Sequence, residues 1–251
     1  MKWSKEQREG HEQNAEKFRA AYVKGKNKTA SLEAIAGCRR RCVTLIEPAN
    51  AMTGLYQVGG RLEREIMRAG SSGSYCQEIP HFTIDCHRYL TEDKLLENIN
   101  QMPLDHQREL IITPDELKEY NRVLLEEIGR EPSFLVEIRG IAFGGDGLVA
   151  QVWYDDKKMI DFTTRLGERV RKEIPSMDFQ WGVVKNKVPL RVVNLTRFTG
   201  KEEREKVIRV VDVNRDADFG IFRMRKASLY FSDHYVQSKN NLVLGIYNFS
   251  E

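Results

Sequence analysis

The sequence predicts an α/β or α+β protein built in two similar halves. Three observations carry this. Apolar residues recur at three- and four-residue spacing over several stretches of helical length. Short β-rich runs lie between those stretches. The order strand, helix, strand, helix comes first, and strands, helix, strand, helix, strands follow it. At roughly 150 residues per domain, the 251 residues leave room for one large domain or two small lobes, and none for a long repeat array. Hydrophobic residues make up 41% of the chain, enough to build a core.

Residues 1 to about 36 are rich in Lys, Glu, Gln and Ala, with eight basic and four acidic side chains in the first 29. This reads as a polar, solvated helix followed by a loose linker, an extension to a main domain at 37–251. Cys42-Val43-Thr44-Leu45-Ile46-Glu47-Pro48 is a β-rich run stopped by proline and predicts the first strand. From Asn50 to Gly70, the positions Leu55, Val58, Leu62, Ile66 and Met67 follow the period of a helix that buries one face. Gly70 and the Ser-Ser-Gly after it end that helix.

The run from Ser74 to Leu90 predicts a strand. In it Phe82, Ile84 and Cys86 alternate with His81, Thr83, Asp85 and His87, so the first set is expected inward and the second on the other face. Helical segments are marked at Thr91 and at Thr113-Pro114-Asp115-Glu116, the latter with a Thr cap, Pro in the first turn and early acids. Residues 134 to 154 read as a hairpin around Gly144 to Gly147. These glycines do not form a phosphate loop, because neither Lys-Ser/Thr nor a helix pattern follows them. Ile160, Phe162, Leu166, Val170 and Ile174 make another helical stripe. Residues 188 to 200 predict a strand, 201 to 211 a short helix, and 219 to 249 two closing strands.

Several function classes are excluded at this level. The 40 basic and 37 acidic side chains nearly cancel to a net charge of +3, so global charge does not announce nucleic-acid binding. No stretch approaches the ~20 apolar residues of a bilayer span. The N-terminus is charged where a signal peptide is apolar, and the expected setting is cytoplasmic. Cys38, Cys42, Cys76 and Cys86 form no C-x-x-C pair and read as reduced thiols. No metal site is expected.

The strand at 42–47, the helix after it and the run Ile79-Pro80-His81-Phe82-Thr83-Ile84 resemble the first half of the two-histidine (2H) phosphoesterase superfamily. That superfamily includes RNA 2′,3′-cyclic phosphodiesterases and 2′-5′ RNA ligase-like proteins, and its hallmark is one His-x-Thr/Ser-x tetrad per lobe. The first tetrad here is His81-Phe82-Thr83-Ile84. At the place of the second stands Asn194-Leu195-Thr196-Arg197, which keeps the threonine and replaces the histidine by asparagine. By order of elements the resemblance spans most of residues 40 to 249.

The resemblance implies an α+β fold of two pseudo-symmetric lobes, each with an antiparallel sheet and outer helices, around a central cleft. It implies a hydrolase that acts on a nucleotide or RNA terminus bearing a cyclic or 2′-linked phosphate, with no cofactor. Catalysis would run through His81 as acid or base, with Thr83 and Thr196 donating hydrogen bonds to phosphate oxygens. Asn194 can donate a hydrogen bond but does not titrate near neutral pH, and loss of one acid–base partner costs about 10²–10⁴ in rate. The expectation is therefore a weak phosphodiesterase or, alternatively, a catalytically silent nucleotide-binding or phosphometabolite-binding module.

Other residues are weighed beside these. His87 is six residues from His81, about 20 Å along a strand, too far to share one phosphate. His234 lies near a closing strand and is a candidate substitute for the missing histidine. His11 and His106 sit in polar segments and are expected to be solvated. Arg41, with Arg39, Arg40, Lys185, Lys187 and Arg191, is a candidate basic rim. Among the aromatics, Tyr89, Phe143, Trp153 and Trp181 are candidates for a base-stacking platform; such residues are more often core, and Trp181, which reads as loop-borne, is the more available. Arg197, next to Thr196, is a candidate ligand contact.

Overall fold

The computed structural model describes residues 4–25, 41–47, 52–68, 74–76, 81–89, 111–144, 147–176, 190–195, 200–232 and 242–251. In chain order these form α1 (Lys5–Val23), β1 (Arg41–Glu47), α2 (Met52–Arg68), β2 (Ser74–Cys76), β3 (Phe82–Tyr89), β4 (Ile111–Ile112), α3 (Pro114–Arg130), β5 (Phe134–Phe143), β6 (Gly147–Trp153), α4 (Asp156–Glu173), β7 (Leu190–Leu195), α5 (Lys201–Val213), β8 (Asp218–Met224), β9 (Lys226–Ser232) and β10 (Leu242–Asn248). The class is α+β. One sheet has the order β10-β9-β1-β3-β4 and the other the order β2-β7-β6-β5-β8. Their pairings are antiparallel except that of β3 with β4.

Local sequence explains where the helices begin. At α3, Thr113 accepts a hydrogen bond from the Glu116 N–H while the Glu116 carboxylate accepts one from the Thr113 N–H, and Pro114 fills the first turn. This reciprocal cap satisfies two N–H groups that a helix start otherwise leaves unpaired. Asp155 caps α4 through the Lys158 N–H, and Ser4 caps α1 through the Gln7 N–H. The faces then follow the 3.6-residue period. Tyr120, Val123, Leu124 and Ile128 of α3 are fully buried, as are Leu62 and Ile66 of α2.

Some expectations are corrected. The run 74–90 is two strands in different sheets, with Pro80, which has no N–H for a ladder, in the sequence between them. The described residues of the closing region form three strands, because β8 and β9 separate at Arg225. In α4 the inward stripe includes Met159, while Ile160 is 42% exposed. Met67 of α2 is likewise exposed.

The N-terminal helix is not simply solvated. Tyr22 is buried with its ring 4.2 Å from that of Phe143, and α1 packs against β5 and α5. His11 is only 5% exposed, which overturns its expected solvation. The last pair between β6 and β7 is Ala150 with Leu190, and farther along β6 polar side chains from α1 meet the backbone. His11 Nε2 is 3.0 Å from the Val152 carbonyl, and Gln7 Nε2 donates to the Tyr154 carbonyl at 3.3 Å. A polar helix is thus drawn in to satisfy carbonyls near the end of a strand.

The two sheets are joined by the chain itself. Between β8 and β9 stands only Arg225, whose carbonyl accepts the Phe249 N–H at 2.9 Å. Ser133 N–H donates to the Ser250 carbonyl, and Ser250 N–H to the Glu131 carbonyl. Phe249 packs edge-on against Phe134 and Phe162 at 5.4 and 5.9 Å. The chain also passes from one sheet to the other between β1 and β2, between β2 and β3, and between β4 and β5.

Candidate functional site

His81 immediately precedes β3 and Thr83 lies within it; both side chains are half-buried, whereas Ile84 is fully buried. The face that Thr83 occupies follows from the register. Tyr247 of β10 donates its hydroxyl to Asn121 Oδ1 of α3 at 2.6 Å, so Tyr247 marks the helix-covered face. It stands opposite Ala227 of β9, and Ser228, next along the strand, belongs to the other face. Ser228 is opposite Leu45 of β1, and Leu45 is opposite Thr83. Residues opposite one another share a face. Thr83 and Ser228 therefore lie on the face turned away from α3.

A bulge follows at once. Leu45 pairs with Thr83 but Thr44 with Asp85, so Ile84 is the extra residue of β3. The unbroken alternation expected from His81 to His87 therefore stops at Ile84. Bulges of this kind end or re-aim a row of side chains and are frequent beside active sites.

Asn194 stands in β7, opposite Tyr75 of β2 on one side and Gly147 of β6 on the other. Gly147 places no side chain beside it. On the hairpin's other arm, a Cβ at Gly144 would come within 2.9 Å of Val149 Cγ1, and the Gly144 N–H bonds the Gly147 carbonyl at 2.7 Å. The strand that pairs with Asn194 is the one whose chain continues to His81. His81 is five positions after Cys76 in sequence, which limits their Cα separation to about 18 Å.

The structure places Thr83 and Ser228 on one sheet, with His81 immediately before β3, and ties that sheet to the strand of Asn194. It does not bring Tyr89 or Arg41 to them. Tyr89 stands opposite Ile112 at the other end of β3, six residues and about 20 Å from Thr83. Arg41 stands at the start of β1, opposite Arg88 and Ser232. Phe143 and Trp153 are buried in the core. Thr196, Arg197, Trp181, His106, His234, Lys185, Lys187, Arg39 and Arg40 lie outside the described residues. Ser228 was not singled out by sequence reasoning; its only signal is a small polar residue within the apolar run Ala227-Ser228-Leu229-Tyr230.

Charged side chains strongly perturb one another on the α3–α4 layer. Arg169 bonds the carboxylates of Glu127, Glu173 and Glu126, and Arg122 bonds those of Glu119, Glu126 and Glu173. The Arg169 and Arg122 guanidiniums hold Glu126 below the usual carboxylate range, and Arg169 does the same for Glu173. Arg165 reaches Glu131 at 2.5 Å. Among the described residues no group of three or more His, Cys, Asp or Glu is placed to hold a metal ion, and no helix is long and apolar enough to cross a membrane.

No family model and no curated protein matches the chain. A solved structure, that of TT0787 of Thermus thermophilus, is similar over 84% of this chain and 97% of that one, with 10% sequence identity and a TM-score of 0.49.

Proposed function

We propose that the chain is a two-histidine-type phosphoesterase whose two sheets are pseudo-symmetric halves around a cleft, and that it handles a cyclic or 2′-linked phosphate on a nucleotide or RNA terminus. One observation carries the reading. Thr83 sits half-buried on the helix-free face of one sheet, with half-buried His81 two residues before it at the start of the same strand, while Asn194 sits on a strand of the other sheet that pairs with the strand leading to His81. An imidazole and a hydroxyl two residues apart on one strand face the same side, which suits a phosphate: the hydroxyl bonds a phosphoryl oxygen and the ring moves a proton.

In hydrolysis of a 2′,3′-cyclic phosphate, water forms a new P–O bond as His81 takes its proton, and the bond from phosphorus to one ribose oxygen breaks. That oxygen needs a proton, which a second histidine would supply and the amide of Asn194 does not. The proton then comes from solvent, and turnover is slow. Asn194 favours the second reading, a module that holds the nucleotide with little or no hydrolysis.

Binding and turnover of 2′,3′-cyclic AMP, measured on wild type, His81→Ala and Asn194→His, test both readings. We expect wild type to bind the nucleotide, Asn194→His to gain about 10²-fold or more in turnover, and His81→Ala to remove whatever turnover exists. Turnover unchanged in His81→Ala would take His81 out of the mechanism. Binding by wild type with turnover only in Asn194→His would establish the binding-module reading, and no binding by wild type would overturn both.

A further inference from the structure

Ser228 is 1% exposed, and its hydroxyl has no hydrogen-bond partner among the described residues. Burying a hydroxyl without a partner is costly, so native proteins keep few such groups and each needs an explanation. A hydroxyl whose role were only to fill space would be replaced at no loss by the methyl of alanine. The place of this one suggests another role. It shares the row Thr83–Leu45–Ser228–Ile246 across β3, β1, β9 and β10, on the face turned away from α3. Thr83 is half-buried and Ile246 is 57% exposed, so residues on both sides of Ser228 along the row reach solvent. Two strand spacings separate Ser228 from Thr83, about 10 Å. That is wider than a phosphate group and comparable to the reach from a 2′,3′-cyclic phosphate across the sugar to the far edge of its base.

We propose that Ser228 contacts the ligand: with the phosphate at Thr83, its hydroxyl bonds a polar atom on the edge of the nucleobase. This rests on the reading of His81 and Thr83 as a phosphate site and extends it to the ligand's other end. The hydroxyl left unbonded in the free protein is then satisfied only in the complex. A site with such a group rejects ligands that cannot bond it, because binding them leaves the hydroxyl unpaired. The ligand class is therefore a base-bearing nucleotide rather than a small phosphometabolite.

The test compares wild type and Ser228→Ala in their affinity for 2′,3′-cyclic AMP and for inorganic phosphate, with Tm measured on both proteins. We expect Ser228→Ala to lose about tenfold in affinity for the cyclic nucleotide, the worth of one hydrogen bond. Its affinity for phosphate should be unchanged, and its Tm equal to or above wild type. Equal affinity of the two proteins for the nucleotide would overturn the proposal while leaving the phosphate site standing. Parallel losses for both probes with a lowered Tm would overturn it too, by making Ser228 a packing residue. Failure of wild type to bind either probe would bring down the phosphate site, and this inference with it.

Discussion

At Gly140 the backbone has φ +75°, in the left-handed region that side chains avoid, and a Cβ built there would lie 2.6 Å from the Arg215 carbonyl. The residue makes a bulge in β5, where its N–H bonds the Ala217 carbonyl at 2.7 Å and the next N–H bonds the Asn214 carbonyl at 3.0 Å. Gly140→Ala is expected to cost about 2 kcal/mol or more, read as a lowered midpoint of denaturant unfolding; an unchanged midpoint would mean that the turn at 214–217 yields to the methyl group. This glycine was not legible in the sequence, since its need comes from a turn some 75 positions away. His11 was misread for a similar reason. Its neighbours are polar, and the ring is drawn inward by residues far along the chain, the Val152 carbonyl and the Trp153 ring. The strand that carries Thr83 was legible because alternation is a property of adjacent residues, but the bulge at Ile84 was not, because register belongs to two strands at once.

Among the elements, α3 and α4 depend on charge as well as on their apolar stripes. Arg169 stands among Glu126, Glu127 and Glu173, so replacing it by Met leaves three carboxylates close together without that cation. Glu126 and Glu173 have folded-state pKa values below the ordinary glutamate value of 4.5. A depressed carboxylate contributes stability that is full above its unfolded pKa and is lost as pH falls through the folded one. Arg169→Met should therefore lower Tm at pH 7, and the gap from wild type should close as pH drops below about 4.5. A gap of constant size from pH 7 to pH 3 would show that Arg169 acts through packing of its stem rather than through charge. The capping box of α3 was readable in the letters Thr113-Pro114-Asp115-Glu116, since a cap spans only four residues. The ion-pair layer was not, because its partners Glu126 and Arg169 lie 43 positions apart.

For the molecule as a whole, the sequence order of strands and helices anticipated the α+β class, and the partition of strands between sheets emerged only from long-range pairing. The continuity of β8 and β9 through Arg225, braced by Phe249 and Ser250, implies that neither sheet unfolds alone. Phe249→Ala is expected to cost about 3–5 kcal/mol and to shift a single calorimetric transition downward; two separated transitions would show that the joint does not couple the sheets. The strand order also bears on how the chain is made. The central strand β1 has as its neighbours β3, close behind it, and β9, about 180 residues later, a separation that slows folding. During synthesis at about 5–20 residues per second, β1 waits on the order of ten seconds or more outside the ribosome with one flank unpaired. A nascent chain stalled before residue 226 would therefore be the form most prone to aggregate or to recruit a chaperone.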